Sequence, residues 1–370
     1  MSETALAVIN PAALKHNFNL LKTAAAGCKV MPALKADAYG HGMLAVARLL
    51  PEADAFALAR VSEGVQLRQA GIEQPLVILG GCIDKDELAL AFEHELELVI
   101  HHAVQFDLLD AWQGGGQLKV WIKLDTGMGR LGFDPAELPQ VQQRLQSCSA
   151  VVPKLRIMSH LACADDPAND MTIQQLERFA HCLGNDFSGD VSLANSAGIL
   201  QWPDTLRSGD ILSYRGDNWV RPGLALYGVS PVNGKSAKDL GLQPVMSFYS
   251  RLIAVKSVPA GSSVGYGADW VAEQDTTIGI AAIGYGDGYP RHVGEGTPVL
   301  VNGRVAELVG RVSMDLIAIN LNHHKDTQPG DTVELWGETL EVQTIAESAG
   351  TIAYELLTQL SPRTRRELKA

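Results

Sequence analysis

The sequence contains no apolar stretch near the ~20 residues that a membrane-spanning helix requires. It contains no long run of Lys or Arg, and its net charge at pH 7 is −12. A broad electrostatic grip on nucleic acid or an anionic membrane is therefore not expected. Cysteine is scarce: Cys28, Cys82, Cys148, Cys163 and Cys182 are odd in number, scattered and free of C-x-x-C spacing. That pattern fits reduced thiols in a cytosol and argues against a disulfide frame or a zinc site. Residues 1–10 lack a basic n-region and hold only a five-residue apolar run, so no signal peptide is expected and a cytoplasmic location follows. No G-x-G-x-x-G opens a helix, which disfavours a dinucleotide-binding fold. There is no fixed-period repeat and no low-complexity tract. With 46% hydrophobic and 19% charged residues, a disordered or collagen-like chain is excluded. The length of 370 residues accommodates two domains or more.

The first 230 residues alternate short β-rich runs with amphipathic stretches. Asn10-Pro11 reads as a helix cap followed by proline at the first helical position, with Gly27 closing that helix. Buried strands are expected at residues 30–34, 55–59, 76–79, 96–100, 118–124, 155–159, 191–194 and, more weakly, 219–221. Segments 62–71 and 84–94 have helical spacing between them. Eight strands separated by helices imply a parallel sheet and suit a (β/α)8 barrel, with an open doubly wound sheet as the alternative. After residue 235 the texture changes. Runs at 246–258, 276–283, 297–308, 312–321 and 332–342 are β-rich, and Asn302-Gly303 between apolar runs signals a hairpin. The expected fold is α/β: a (β/α)8 barrel over residues 1–235, followed by a mainly β domain over 236–370.

In such a barrel the chemistry sits at the C-terminal ends of the strands. The first strand delivers Lys35, and a lysine leaving an apolar strand is partly desolvated, which lowers its pKa and suits it to a Schiff base. The plainer account is a chain leaving the core with a lysine reaching for solvent. The fifth strand ends Lys123-Leu-Asp125 and enters Thr126-Gly-Met-Gly-Arg130. The sixth ends at His160, the seventh at Asn195-Ser196 and the eighth at Arg221, before Pro222-Gly223-Leu224. Singly, Ser196 is a helix cap, His160 a core histidine and Arg221 half of a salt bridge. Jointly they set a lysine, cations and a phosphate cradle of hydroxyl and free N–H groups at one barrel mouth. A phosphorylated aldehyde cofactor on a lysine accounts for all of them.

The segment Ala-Leu-Lys35-Ala-Asp-Ala-Tyr39-Gly-His-Gly resembles the pyridoxal-phosphate lysine motif of alanine racemases, which are fold-type III enzymes. Further segments resemble family motifs in family order: Lys123 to Gly132, Ser159-His160-Leu, Asn195-Ser196, Arg221 to Gly228, Gly265-Tyr266-Gly, Gly284 to Arg291, and Gly310-Arg311-Val-Ser-Met314-Asp315. The resemblance spans essentially the whole chain. It implies a barrel plus β domain, pyridoxal 5'-phosphate as cofactor, a homodimer, and interconversion of L- and D-alanine for peptidoglycan. The second domain would then contribute to the partner subunit's active site.

Racemisation removes the α-proton from one face and returns one to the other, so two acid–base groups must flank the carbon. The resemblance makes these Lys35 and Tyr266. A tyrosine, pKa ~10 when free, needs nearby donors or positive charge to act as a base near neutral pH. His160 and Arg221 would supply that chain. Arg221 would also face the pyridine nitrogen and leave it neutral, which disfavours transamination. Tyr39, Ser196, Gly223, Leu224 and Tyr354 would bind the cofactor phosphate. Arg130 and Met314 would hold the substrate carboxylate, with Asp315 in support. Lys123 matches a lysine that the family carries as a carbamate; an unmodified Lys123 paired with Asp125 is the other account. Asp165, Tyr285, Arg291 and Arg311 match residues of the family's entry corridor. No metal is expected, and His323-His324-Lys-Asp326 reads as a hydrophilic loop. Basic residues 362–368 read as a surface end docking back on the protein. Other activities compatible with parts of the pattern are a fold-type III amino-acid decarboxylase, which would want an acid where Arg221 stands, and a non-catalytic pyridoxal-phosphate-binding protein, which leaves Tyr266 unexplained.

Overall fold

The computed structural model describes residues 5–184, 187–209 and 211–369; Met1–Thr4, part of the segment read for a leader, and Ala370 lie outside the described residues. After β1 (Leu6–Ile9) and the helix Pro11–Ala24 come eight short strands: β2 (Lys29–Val30), β3 (Phe56–Leu58), β4 (Leu76–Ile78), β5 (Glu97–Ile100), β6 (Val120–Lys123), β7 (Arg156–Met158), β8 (Val191–Ser192) and β9 (Trp219–Val220). Strands β3 to β8 pair in sequence order and β2 pairs with β9. Parallel bridges Ala33–Ala57 and Val191–Asn218 join the two sets, so the eight strands close into a barrel. The Asn10 side chain accepts the Ala12 and Ala13 N–H groups, as the Asn-Pro pair implies.

Alternation along the strands fills the barrel. Ala57, Val77, Val99, Trp121, Met158 and Trp219 form an inner cluster, while Phe56, Leu58, Ile78, Leu98 and Ile122 turn outward to the helices. Trp121 and Trp219 meet edge to face at 6.0 Å. At the N-terminal mouth Arg156 closes the barrel. Its Nη1 donates to Glu97 Oε2 at 2.5 Å and its Nε to Asp190 Oδ2 at 3.2 Å. Glu97 and Asp190 are buried, and removing the arginine leaves Glu97 only the Trp121 indole N–H and Lys119, and Asp190 only Lys154, as charged or donor side-chain partners. Arg156→Met is expected to cost about 3 kcal/mol in urea denaturation. Adding Glu97→Gln and Asp190→Asn should restore most of that loss. A single-variant loss below about 1 kcal/mol would contradict this account of the plug.

The second half contains β10 (Met246–Val258), β11 (Ser263–Val264), β12 (Trp270–Val271), β13 (Thr276–Ala281), β14 (Pro298–Val301), β15 (Arg304–Val309), β16 (Ile317–Asn320), β17 (Thr332–Trp336) and β18 (Arg365–Leu368). Six of these close a ring in the order β10, β13, β16, β15, β14, β17. The 13-residue β10 makes closure possible: residues 248–251 pair with β17 and 252–258 with β13, across a register shift. Asn302 and Gly303, at φ 49° and 76°, make the expected tight turn between β14 and β15.

Two features differ from the sequence reading. β1 pairs with β10 and β18 pairs with β1, so both ends of the described chain belong to the second sheet, although residues 1–235 read as the barrel unit. The basic end docks back on the protein as expected, and does so as an ordered strand. The run 332–342 stops as a strand at Trp336 and is followed by helices Val342–Ser348 and Ala353–Thr358. The first of these buries Val342, Ile345 and Ala346 at helical spacing, a period that β-branched residues disguise.

Candidate active site

After β2 the chain crosses to its neighbour, with the Leu34 N–H donating to Ala57 O at 2.9 Å, and then coils left-handed. Ala36, Asp37, Ala38 and Tyr39 have φ of 54°, 53°, 54° and 53°. Each L-residue held there costs roughly 1–2 kcal/mol, so the turn carrying Lys35 needs external support. Glu63 Oε1 accepts the Ala36 N–H at 2.9 Å and Asp37 Oδ1 accepts the Met43 N–H at 2.7 Å. His41 Nδ1–H donates to Tyr39 O at 2.9 Å and Ala38 O at 3.1 Å. Arg366 of β18 donates from Nε to Gly40 O at 2.7 Å. Gly40, at φ 80°, lies so close to the Leu357 carbonyl that no side chain fits. The rings of Tyr39 and His41 stack on Tyr227, 4.9 and 4.5 Å away, and the Tyr227 hydroxyl donates to Ala33 O. Burial lowers the His41 pKa to about 4, so the ring is neutral at ordinary pH. Ala36 is exposed, which isolates the backbone strain. Ala36→Gly should therefore be neutral or stabilising by up to about 1 kcal/mol, whereas Ala36→Val should destabilise by more than about 1 kcal/mol. Thermal melts of the pair check this; a destabilised glycine variant contradicts it.

The turn opens onto a cleft of about 940 Å³ at the C-terminal mouth of the barrel. Lys35, Tyr39, Arg130, His160, Asp165, Ser196, Arg221, Gly223, Leu224 and Tyr354 all line it, so residues spread over 319 positions of sequence converge there. Arg221 is buried. Its Nη2 donates to Ser159 O at 2.6 Å, Leu193 O at 3.3 Å and His160 Nδ1 at 3.3 Å, and its Nη1 donates to the Ser192 hydroxyl. Because a guanidinium only donates, His160 Nδ1 accepts and the ring proton sits on Nε2. Burial together with Arg221, Lys123, Arg130 and Lys35 holds the His160 pKa well below its ordinary value. Burial lowers that of Arg221 only to about 10, so the arginine keeps its charge.

Lys35 lies below the usual lysine range, through desolvation first and then the charges of Arg130 and Arg221. Lys123, at the end of β6, is pushed down much further by burial and by Arg221 and Arg130. Asp125 does not neutralise it by contact: among the described residues no ion pair joins the two, and Asp125 instead accepts the N–H groups of Gly127, Gly129 and Arg130. On the opposite wall, Asn195 caps the helix Ser196–Gln201. Ser196 Oγ accepts the N–H of Gly223 at 2.8 Å and of Ala225 at 3.3 Å. A Cβ on Gly223 would come within 2.6 Å of the Tyr39 hydroxyl. The wall is thus a small concavity of hydroxyl and N–H groups that a larger residue would fill.

The remaining expected residues do not line this cleft. Tyr266 stands in a turn between Gly265 and Gly267, both at positive φ, and is 70% exposed. Met314 is 52% exposed in the loop before β16. Asp315 accepts Arg363 Nη2 at 2.7 Å, and Arg363 also binds Asp287 at 2.8 Å. Arg311 pairs with Asp269. Tyr285 and Arg291 line a second groove with Glu355 and Gln359. His324, expected in a hydrophilic loop, is buried with Nε2 against Val305 O at 3.0 Å. Sequence reasoning passed over Glu63, Tyr227 and Arg366. Glu63 carried a signal, an acidic residue three positions after a helix entry; Arg366 carried none.

Comparisons with known proteins agree with this arrangement. The family model for the alanine racemase N-terminal domain matches residues 9–231, and that for the alanine racemase C-terminal domain matches residues 245–368. The alanine racemase of Shewanella woodyi is 48% identical over 357 residues, covering 96% of this chain and 97% of the relative. The crystal structure of the biosynthetic alanine racemase from Pseudomonas aeruginosa superposes with a TM-score of 0.92 at 42% identity, and that of alanine racemase from Acinetobacter baumannii with 0.88 at 38%; both cover 100% of both chains. A closed parallel barrel, a β domain and a strand-end lysine in a cationic cleft are thus joined to sequence similarity along nearly the full length: the chain belongs to the alanine racemase family.

Proposed function

We propose that this chain interconverts L-alanine and D-alanine, with pyridoxal 5'-phosphate held on Lys35, and so supplies D-alanine for peptidoglycan. The observation that carries the reading is the convergence of Lys35, Arg130 and Arg221 with the Ser196–Gly223 concavity in one cleft. The residues present fit the cofactor. The concavity offers the hydroxyls of Ser196, Tyr39 and Tyr354 to a phosphate, the Gly223 N–H being held by Ser196, and the cations favour a dianion. Gly223, lacking a Cβ, lets the Tyr39 hydroxyl approach this wall closely. When bound, the cofactor withdraws electrons from the substrate α-carbon and acidifies its proton.

The protein's part is to bind, orient and move protons. Desolvation and the two arginines favour the neutral form of the Lys35 amine, the form in which Nζ accepts a proton. Arg221, fixed by four acceptors, would lie against the ring nitrogen without giving up its proton. On the other face the acid–base group would be Tyr266. His160, accepting from Arg221 on Nδ1, has Nε2–H free to donate to an incoming phenolic oxygen. The exposure of Tyr266 and Met314, away from the cleft of their own chain, supports a homodimer in which each cleft receives these residues from the partner. Tyr285, Arg291 and Arg311 on the same domain, with Asp165 at the rim, would then line the approach. Arg130 would hold the substrate carboxylate. The crowding of Lys123 by cations supports a carbamate there, an anion that would orient Arg130. With ¹³C-labelled bicarbonate, a carbamate carbon resonance is expected in the wild type and not in Lys123→Ala; no such resonance in either would leave Lys123 unmodified.

Incubation of the purified protein with L-alanine in heavy water tests the function. D-alanine carrying deuterium at the α-carbon is expected. Release of carbon dioxide, or no exchange, would overturn the reading. Among the described residues no helix is long and apolar enough to cross a membrane.

A further inference from the structure

Glu63 lies on the helix Val61–Gln69, after β3, and has no place in the chemistry described above. Its carboxylate does more than a capping acid needs. Oε2 accepts the Arg60 N–H at 3.0 Å, the usual return bond at a helix start, and also the Ala59 N–H at 2.7 Å. Oε1 reaches across to the neighbouring strand end and accepts the Ala36 N–H at 2.9 Å. One side chain therefore fastens the exit of β3 to the first peptide after Lys35. That peptide opens a run of four left-handed residues, whose own backbone bonds join the Ala38 N–H to Leu34 O and the Gly40 N–H to Ala36 O but leave the Ala36 N–H to Glu63. Ala36 is itself exposed, so without Glu63 its N–H would turn to water and the entry to the turn would loosen.

The charge of Glu63 is as unusual as its position. The groups facing Lys35 are Lys123 at the end of β6, Arg130 on the loop beyond it, His160 after β7 and Arg221 after β9. Asp37 and Tyr39 lie on its own turn, and Tyr354 and Glu355 on the helix Ala353–Thr358 share its outer pocket. Of these, Arg130 and Arg221 push Lys35 towards its neutral form, whereas Glu63 pushes it the other way.

We propose that Glu63 is a positioning residue for Lys35: its carboxylate anchors the left-handed turn through the Ala36 N–H and sets an anion against the cations of the cleft. The proposal rests on Lys35 being the cofactor lysine. It separates two properties, reach and charge, that two conservative variants divide. Glu63→Gln keeps the length, removes the charge and leaves a single acceptor oxygen for the three N–H groups. Glu63→Asp keeps the charge and shortens the reach by one methylene.

The experiment follows borohydride-trapped incorporation of pyridoxal 5'-phosphate into cofactor-stripped full-length protein as a function of pH, with peptide mapping and thermal melts alongside. Removing a negative charge disfavours the protonated amine, so in Glu63→Gln the pH midpoint of trapping should fall by about half a unit or more. Trapping at pH values below the midpoint should accelerate about threefold. In Glu63→Asp the midpoint should stay within about 0.2 of wild type, while the cofactor concentration for half-maximal trapping rises several-fold, about threefold or more. A helix cap alone would lower the melting temperature of both variants and move neither trapping parameter, and that result overturns the proposal. Label on a lysine other than Lys35 would instead overturn the cofactor assignment on which it rests.

Discussion

A randomly paired mixture of Lys35→Ala chains and Tyr266→Phe chains is expected to recover about a quarter of wild-type activity. Each homodimer alone should be nearly inactive, because every site then lacks one of the two proton-transfer groups. Tyr266 is 70% exposed and absent from the cleft that holds Lys35 in the same chain. On the proposed reading each site takes Lys35 from one chain and Tyr266 from the other. A mixed dimer then has one site with both lesions and one with neither. Random pairing makes half of the dimers mixed, and half of their sites are intact. If each site were built from one chain, every site would keep one lesion and no activity would return. Failure of demonstrably mixed dimers to recover activity would remove the shared site and leave the racemase assignment standing.

Tyr266→Phe is also expected to separate the two directions of the reaction. On the proposed reading the two bases would approach the α-carbon from opposite faces, Lys35 acting on D-alanine and Tyr266 on L-alanine. Loss of a positioned acid–base group typically costs about 10²–10⁴-fold. Solvent deuterium exchange into L-alanine should therefore fall by about 10²-fold or more, while exchange into D-alanine in a single turnover should fall far less. The Arg221 bond to His160 Nδ1 leaves the proton on Nε2, which on the proposed reading would be donated to the phenolic oxygen. Equal losses on both enantiomers would contradict the assignment of faces.

Much of this was legible before any coordinates, and the reasons are local. The eight barrel strands are apolar runs bounded by turn signals, and each falls within a few residues of its expected place because burial on both faces leaves little freedom of composition. Asn302-Gly303 marked its hairpin because few other pairs tolerate two positive φ angles. Lys35, His160, Ser196 and Arg221 were visible because a barrel presents its chemistry at strand ends. What stayed hidden depends on distant partners. Nothing in residues 5–9 reveals that they pair with β10 and β18. The left-handed course of residues 36–39 is written in residues of ordinary type, and its supports, Glu63, His41 and Arg366, come from three parts of the chain. The Arg221–His160 bond, which fixes the histidine tautomer, needed the strand ends on either side of β8 to be brought together.

The central claim is that Lys35 carries the cofactor, and borohydride reduction of the holoenzyme followed by peptide mapping tests it most directly. The account predicts a pyridoxyl group on Lys35, within the peptide that continues Ala-Asp-Ala-Tyr-Gly-His. A pyridoxyl group on Lys123, or on any other lysine, would contradict it.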